Sequence, residues 1–509
     1  MFKGHPKGLI PAALANMGER FGFYTMMAIL VLFLQAKFGL NGTSAGYIYA
    51  AFYFSIYILA LVGGIIADRI KNYKGTILVG LIMMAAGYVI MAIPTPTPVS
   101  NIPLFLSISI VGLAVIAFGN GLFKGNLQAL VGQMYDNEKY EKMRDSGFSL
   151  FYAFINVGAI FAPFTAVGIR NWWLSSNGFS YDANLPEQCH TFLGGNMSAE
   201  NISNYQEYAN TAAGSTVTDL TAFSNNYLNI FNEGFHYAFG IAIIAVIISF
   251  VVYVVNKNKF PDPKGVNKVE GDKEITPEIK MEAKEVAQRM YALLAVFGVV
   301  IFFWFSFHQN GLTLTFFARD YTLLRFGSWD IGAEIFQSMN PFFVVFLTPI
   351  IVALFGWLRA RNIEPSTPKK IAIGMGIASL AFVLMVAGSL GLPLFSNISS
   401  SLGGTPLTDS ERVTPYLLLG TYFILTVAEL FISPLGISFV SKVAPPQYQG
   451  LMQGGWLGAT ALGNGLLFIG AILYTTIPIW MTWSIFVIAT AISMITILFM
   501  VKWLERVAK

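Results

Sequence analysis

The stretch ANMGERFGFY (residues 15–24) decides how the rest of this sequence is read. It sits inside an apolar run, roughly residues 12–36, that reads as a membrane-spanning helix. Yet it places an acid and a base side by side, Glu19 and Arg20. A charge at the centre of a bilayer costs at least a few kcal/mol on insertion scales. A span that carries this pair predicts other spans around it and a water-filled pathway for the pair to face.

The composition agrees. Of 509 residues, 55% are hydrophobic and 11% are charged, against about a quarter charged in soluble domains. The chain reads as an all-α, polytopic membrane protein with the lipid bilayer as a partner. Its net charge of +4 is small, and no nucleic-acid partner is expected. The single cysteine, Cys189, cannot form an internal disulfide. MFKGHPKGLIP (residues 1–11) runs into the first span without a small-residue cleavage site, so no cleavable leader is expected.

A span needs about 20 predominantly apolar residues. Twelve candidates fit, at roughly 12–36, 45–67, 75–94, 103–134, 146–168, 235–255, 290–317, 335–357, 369–391, 414–441, 448–474 and 479–501. With the N-terminus inside, 24 of the 31 Lys and Arg residues fall on the inner side, eight of them from Lys257 to Arg289. Five fall outside: Lys37, Arg170, Arg319, Arg325 and Arg412. That asymmetry predicts cytoplasmic termini and an even span count. Arg20 and Lys124 remain within spans.

Two polar stretches divide the chain. The organisation expected is five spans over 1–169, an outer loop over 170–233 and a sixth span over 234–255 that completes the first bundle. An inner linker over 256–289 and a C-terminal six-span bundle over 290–509 follow. The outer loop, rich in Asn, Ser, Thr and Gly, forms a small cap or is partly disordered on this reading. The linker ends in TPEIKMEAKEVAQRM, where Thr276 as N-cap, Pro277 at the first helical position and Glu278 in the first turn predict a short amphipathic helix. Paired six-helix bundles place a substrate site near the midplane between them.

The polar residues inside the spans carry the chemistry. Lys124 lies mid-span in FGNGLFKGN (118–126); it either faces the pathway or snorkels to an interface. Glu429 lies in VAELFISPLG (427–436), where Pro434 can break the helix and free backbone carbonyls. Its alternative is a carboxylate paired only for structure. Asn156 in FYAFINVG (151–158) and Asn340 in FQSMNPF (336–342) either hold a neighbouring helix or meet a polar substrate. Tyr24, Tyr57, Trp304 and Trp456 form an apolar, hydroxyl-tipped wall or simply pack. Glu19 and Arg20 can cancel, and so can Lys124 and Glu429, which leaves a positive pole on the first half and a negative pole on the second. A zwitterion fits between such poles, because charge pairing in a low-dielectric cavity is strong when both ends are met. No nucleophile–base set, phosphate loop or metal spacing is present, and His5, His190, His236 and His308 are scattered. Neither an enzyme nor a cofactor is expected.

With these residues in place, the chain resembles the proton-coupled oligopeptide transporter family of the major facilitator superfamily. GERFGFY resembles the family's E-x-x-E-R-F-x-Y-Y element. GGIIADR (63–69), FGNGLFKGN, FYAFINVG, FQSMNPFF and residues 429–464 resemble five further signatures in order. The resemblance implies a major facilitator fold of twelve spans in two six-helix bundles and a monomeric functional unit. It implies that Arg20 and Lys124 bind a peptide's carboxylate. Glu429, Asn156 and Asn340 would hold its amine and backbone, and Tyr24, Tyr57, Trp304 and Trp456 would line side-chain pockets. Asp68 and Arg69 would belong to a cytoplasmic gate.

Three positions depart from the family. Asn16 stands where the element's first glutamate belongs, Met27 replaces a basic residue, and His308 in FFWFSFHQNG (302–311) replaces an acid. In relatives that base and that acid can pair, so losing both avoids an orphaned buried charge. The proton-carrying candidates left are Glu19 and His308, whose imidazole has an unperturbed pKa of about 6.5. The function expected is import of small peptides by alternating access, driven by protons, in a bacterial inner membrane. The alternative is another small anion or amino compound carried on the same fold with altered coupling. A non-transporting receptor or membrane enzyme is the third class.

Overall fold

Inside a bilayer each backbone N–H and C=O must find its partner within the chain, so apolar runs of this length fold as helices. The computed structural model describes residues 4–136, 138–140, 143–261, 283–326, 329–445 and 448–508. Among them, twelve helical segments are long and apolar enough to cross a membrane. The first six are α1 (Leu9–Phe38), α2 (Gly42–Ile70), α3 (Tyr73–Ala92), α4 (Ile102–Gln133), α5 (Arg144–Ser176) and α8 (Leu220–Asn256). The second six begin with a broken span, α9 (Ala283–Phe307) and α10 (Thr313–Tyr321), joined by a 3-10 turn at His308–Gly311. Then come α11 (Met339–Ala360), α12 (Thr367–Gly388) and α14 (Tyr416–Val443). A second broken span, α15 (Gln449–Gly465) with α16 (Leu467–Thr476), and α17 (Ile479–Val507) complete the set. Outside the spans lie α6 (Leu185–Leu193), α7 (Ala199–Ala213) and α13 (Phe395–Ile398), with a two-residue ribbon pairing Arg325 with Asp330.

Local chemistry sets the helix starts. Asn41, Asn72 and Asn101 accept first-turn N–H groups of α2, α3 and α4 at 2.8, 2.9 and 3.1 Å, which satisfies donors that a helix start would otherwise leave free. Within the first bundle α1 packs on α5 and α8, and α4 on α2 and α3. Within the second, α12 packs on α14 and α17, and α9 on α15 and α17. The α2–α4 crossing is close. A Cβ on Gly63 would lie 2.2 Å from the Gly121 carbonyl oxygen, so any larger residue there pushes α4 away.

Several segments differ from the sequence expectation. Span five continues to Ser176 and span six begins at Leu220, so the outer segment is shorter than 170–233. The extensions carry polar residues that the sequence assigns to solvent; here Arg170 and Asn232 are buried under the cap. The cap itself contains two helices, α6 and α7. Helix α14 runs unbroken through Pro434. Thr276, Pro277 and Glu278 lie outside the described residues, and AKEVAQRM continues directly into span seven as the start of α9.

An even number of spans puts both termini on one face, the terminal face; the cap sits on the opposite face. Among the described residues, every hydrogen bond and ion pair joining the halves lies on the cap side. Arg170 of α5 donates to Glu334, just before α11, with both side chains fully buried. Arg319 of α10 donates to Gln35 of α1 at 2.7 Å, and Gln337 donates to the Ala28 carbonyl at 3.2 Å. In the cap, Glu187 accepts from the Ser399 hydroxyl and the Ser401 N–H at 2.5 and 3.0 Å. Asn201 donates to the carbonyls of Gly403 and Gly404 at 3.1 and 3.2 Å and accepts from Thr405 at 2.9 Å. The seam is shut at the cap face.

Removing one member of a buried ion pair leaves the other uncompensated, at a cost of about 3–5 kcal/mol, whereas replacing both by apolar residues is often neutral. Glu334→Leu alone is therefore expected to lower thermal stability in detergent sharply, and Arg170→Met with Glu334→Leu to recover most of it. A double variant as unstable as the single one would contradict this reading of the pair.

Candidate substrate site between the two bundles

Arg20 lies eleven residues into α1, about 16 Å from the helix start at 1.5 Å per residue. Lys124 lies about 14 Å from the terminal-face end of α4, and Glu429 about 21 Å from that end of α14. With a hydrocarbon core of about 30 Å, all three sit at mid-depth.

Glu19 and Arg20 form a closed pair. Arg20 donates Nε to Glu19 Oε2 at 2.6 Å and Nη2 to Oε1 at 2.7 Å. Both residues are buried. Asn120 of α4 donates to the same Oε1 at 2.9 Å, and Arg20 lies 4.6 Å over the Phe23 ring. Bidentate charge-assisted bonds of this kind are the strong ones. Two of the guanidinium nitrogens of Arg20 are thereby taken up.

Lys124 and Glu429 are different. Lys124 Nζ stands 4.6 Å over the Tyr57 ring, and among the described residues it has no ion-pair partner. Glu429 accepts from Asn340 Nδ2 at 2.7 Å, and the same Nδ2 also reaches Thr426 Oγ1 at 3.1 Å. It too has no cation beside it among the described residues. The cancellation of Lys124 by Glu429 expected from sequence is thus not made in this conformation. Each charge is carried by its own half, and the cap-side latches hold the halves in this register. Tyr24 and Tyr57 lie close enough to sense both Arg20 and Glu429.

His308 lies near the break in span seven. Asn464 Oδ1 of α15 is 2.5 Å from its Nδ1. The ring donates from Nδ1 in this contact when that nitrogen carries a proton. The ring stacks on Trp304 at 4.9 Å and 18°, and Tyr53 of α2 lies tilted against it at 4.8 Å. His308 thus has a hydrogen bond to Asn464, two ring contacts in its own half, Trp304 and Phe307, and one from the other half, Tyr53. It also senses Lys124.

The remaining candidates are placed as follows. Asn156 spends its amide on the Tyr152 carbonyl of its own helix, at 3.1 Å, and keeps its side-chain oxygen. Trp304 and Trp456 are 6% and 3% exposed, so they back the site rather than face it broadly. Asn16 and Met27 are buried in α1. Arg69 is exposed at the terminal face, and the Asp68 side chain lies outside the described residues. Asn120 and Asn464 were not singled out by sequence. Asn120 sits four residues before Lys124, one turn along the same helix face, and that spacing is the signal that could have found it.

Twelve spans in two bundles, with Lys124 and Glu429 at mid-depth lacking ion-pair partners among the described residues, have the architecture of a membrane carrier. The chain belongs to the POT family, whose model matches residues 74–273 and 268–482. It is 27% identical over 500 residues, covering 94% of this chain and 90% of the relative, to the uncharacterized transporter YclF of Bacillus subtilis. It is 26% identical over 492 residues, covering 91% and 87%, to the peptide transporter YePEPT of Yersinia enterocolitica. The crystal structure of a peptide transporter POT in complex with alafosfalin superposes with a TM-score of 0.74 at 23% identity, covering all of this chain and 96% of that one. The fold is that of the major facilitators, and the protein is a multi-pass membrane transporter rather than an enzyme.

Proposed function

We propose that this chain imports di- and tripeptides by alternating access, driven by an inward proton gradient. The observation that carries the reading is the pair of uncompensated poles, Lys124 on one half and Glu429 on the other, with Arg20 tied to Glu19. In this reading the peptide's carboxylate meets Lys124 and then Arg20. Its ammonium meets Glu429, oriented by Asn340. Asn156 offers its free oxygen to the peptide backbone, and Tyr24, Tyr57, Trp304 and Trp456 surround the side chains. A ligand that satisfies both charges draws the halves together; an anion alone leaves Glu429 without a partner, which disfavours the alternative cargo.

Protons enter at Glu19 and His308. A proton on Glu19 frees Arg20 for the substrate carboxylate, and a bare Glu19 recaptures it. His308 offers Nε2 as the loading position. Asp68 and Arg69 serve the terminal-face gate. A single chain is the functional unit, seated in a bacterial inner membrane with both termini cytoplasmic; the basic residues clustered on that face support this orientation.

Capped peptides test the two poles separately. A lost charge-assisted bond is worth about 1.5–3 kcal/mol, or roughly 10- to 150-fold in affinity. Glu429→Gln should raise KM for dialanine by that order and abolish discrimination against N-acetyl-dialanine, which has no ammonium. Lys124→Met should abolish discrimination against dialanine amide, which has no carboxylate. If both variants weaken all three peptides alike, the assignment of ends fails. For coupling, His308→Gln should abolish pH-driven accumulation while counterflow exchange persists; retained accumulation would remove His308 from the proton path.

A further inference from the structure

A cavity of about 310 Å³ lies under the cap, at the shut seam. Its walls come from both halves: Leu32 of α1 and Thr43 of α2 from the first, Phe395 of α13 and Thr475 of α16 from the second. The Thr43 and Thr475 hydroxyls stand 3.3 Å apart across the seam. Leu402 also lines the cavity and is 57% exposed, so solvent reaches the space while the halves are together. Gln35 in the same wall lies fifteen residues along α1 from Arg20, about 22 Å, which separates this cavity from the mid-depth site.

The polar groups of the wall decide what fits. Arg319 has all three guanidinium nitrogens engaged: Nε and Nη2 donate to Asp320 at 2.6 and 3.0 Å, and Nη1 to Gln35 at 2.7 Å. It offers nothing to an anion. Glu187 and His190 stand one turn apart on α6, and both line the cavity. Glu187 accepts from Ser399 and Ser401 through Oε1 alone; among the described residues it has no ion-pair partner. The Ala36 carbonyl 2.8 Å from His190 Nε2 can only accept, so Nε2 carries a hydrogen. Burial lowers the pKa of His190, so near neutral pH its Nδ1 is an acceptor. That nitrogen is open because Gly39 has no side chain: a Cβ there would stand 3.3 Å from it.

We propose that this cavity is a second small-molecule site, for a primary amine with an apolar body, and that its ligand holds the cap face shut. An ammonium has three donors and no acceptor, which suits the Glu187 carboxylate and His190 Nδ1 together. Leu32, Phe395 and Leu402 supply apolar wall for the body. Small-molecule pockets start at about 300 Å³, and a cavity of about 150 Å³ takes benzene, so one ring on a short arm fits. A ligand that touches both halves gains those contacts only while the halves are together, and it shifts the equilibrium toward that state by its differential affinity.

The probe is 2-phenylethylamine, with 2-phenylethanol as the same body lacking the ammonium. In detergent at neutral pH, the amine at a hundred times its Kd should raise the unfolding temperature by roughly 2–3 °C, and the alcohol should not. Glu187→Gln should weaken amine binding about 10- to 150-fold, as loss of a charge-assisted bond does. Leu402→Trp, at an exposed position on the other half, should fill the space and remove the shift even if Glu187→Gln does not fold. No shift with the amine, an equal shift with the alcohol, or an unchanged shift in Leu402→Trp overturns the site. In proteoliposomes the external amine should slow dialanine uptake at least tenfold, and Leu402→Trp should relieve it; full uptake with the site occupied overturns the shutting role. That last arm rests on the peptide reading. Absence of uptake in amine-free vesicles marks failure of that reading, and the unfolding shift still decides the site.

Discussion

The bidentate bond between Glu19 and Arg20 is the interaction on which the rest of the site depends. Two adjacent charges at mid-bilayer depth carry a desolvation cost that pairing and hydrogen bonding offset. Neighbours in sequence on α1 achieve this, with Asn120 supplying a further donor to the carboxylate. The consequence is selective. With Arg20 occupied, Lys124 on the first half and Glu429 on the second have no ion-pair partner among the described residues. Under the proposed function, the two ends of a zwitterion meet these two charges.

The cap-side latches give that arrangement its conformational meaning. Arg170 with Glu334, Arg319 with Gln35, and the contacts of Glu187 and Asn201 all join the halves on one face. Admission of a substrate from the cap face requires them to part together. The break in span seven lies where such parting would be felt, since His308 at the break touches Trp304 in its own half and Tyr53 in the other. Rocking of the halves changes the surroundings of this ring directly. An acid at the same place, without a basic partner at Met27, would leave a buried charge uncompensated, whereas the imidazole is held by Asn464.

The span count, the two-bundle division and the buried Glu19–Arg20 pair could be read from sequence, because apolar length and charge inside apolar runs are local signals. What sequence could not supply was long-range partnership. Arg170 counts as an outer loop charge by position, yet Glu334, 164 residues away, makes it a buried strut between the halves. Lys124 and Glu429 have opposite charges and lie on opposite halves, which suggests mutual cancellation; only the helix positions show that the halves keep them unpaired here. Pro434 carries a local signal for a break that tertiary packing overrides. The cap helices were illegible for a different reason: their apolar faces are short, and they fold over α8 and against residues 395–405 rather than on a stripe of their own.

The central claim is that this site couples binding of a zwitterion to a proton gradient. Uptake of labelled dialanine into proteoliposomes, with and without an inward proton gradient, tests it most directly. The account predicts accumulation above equilibrium only when the gradient is present, and its collapse when unlabelled dipeptide is added outside. Equilibration that ignores the gradient, or no flux of dialanine at all, would contradict it.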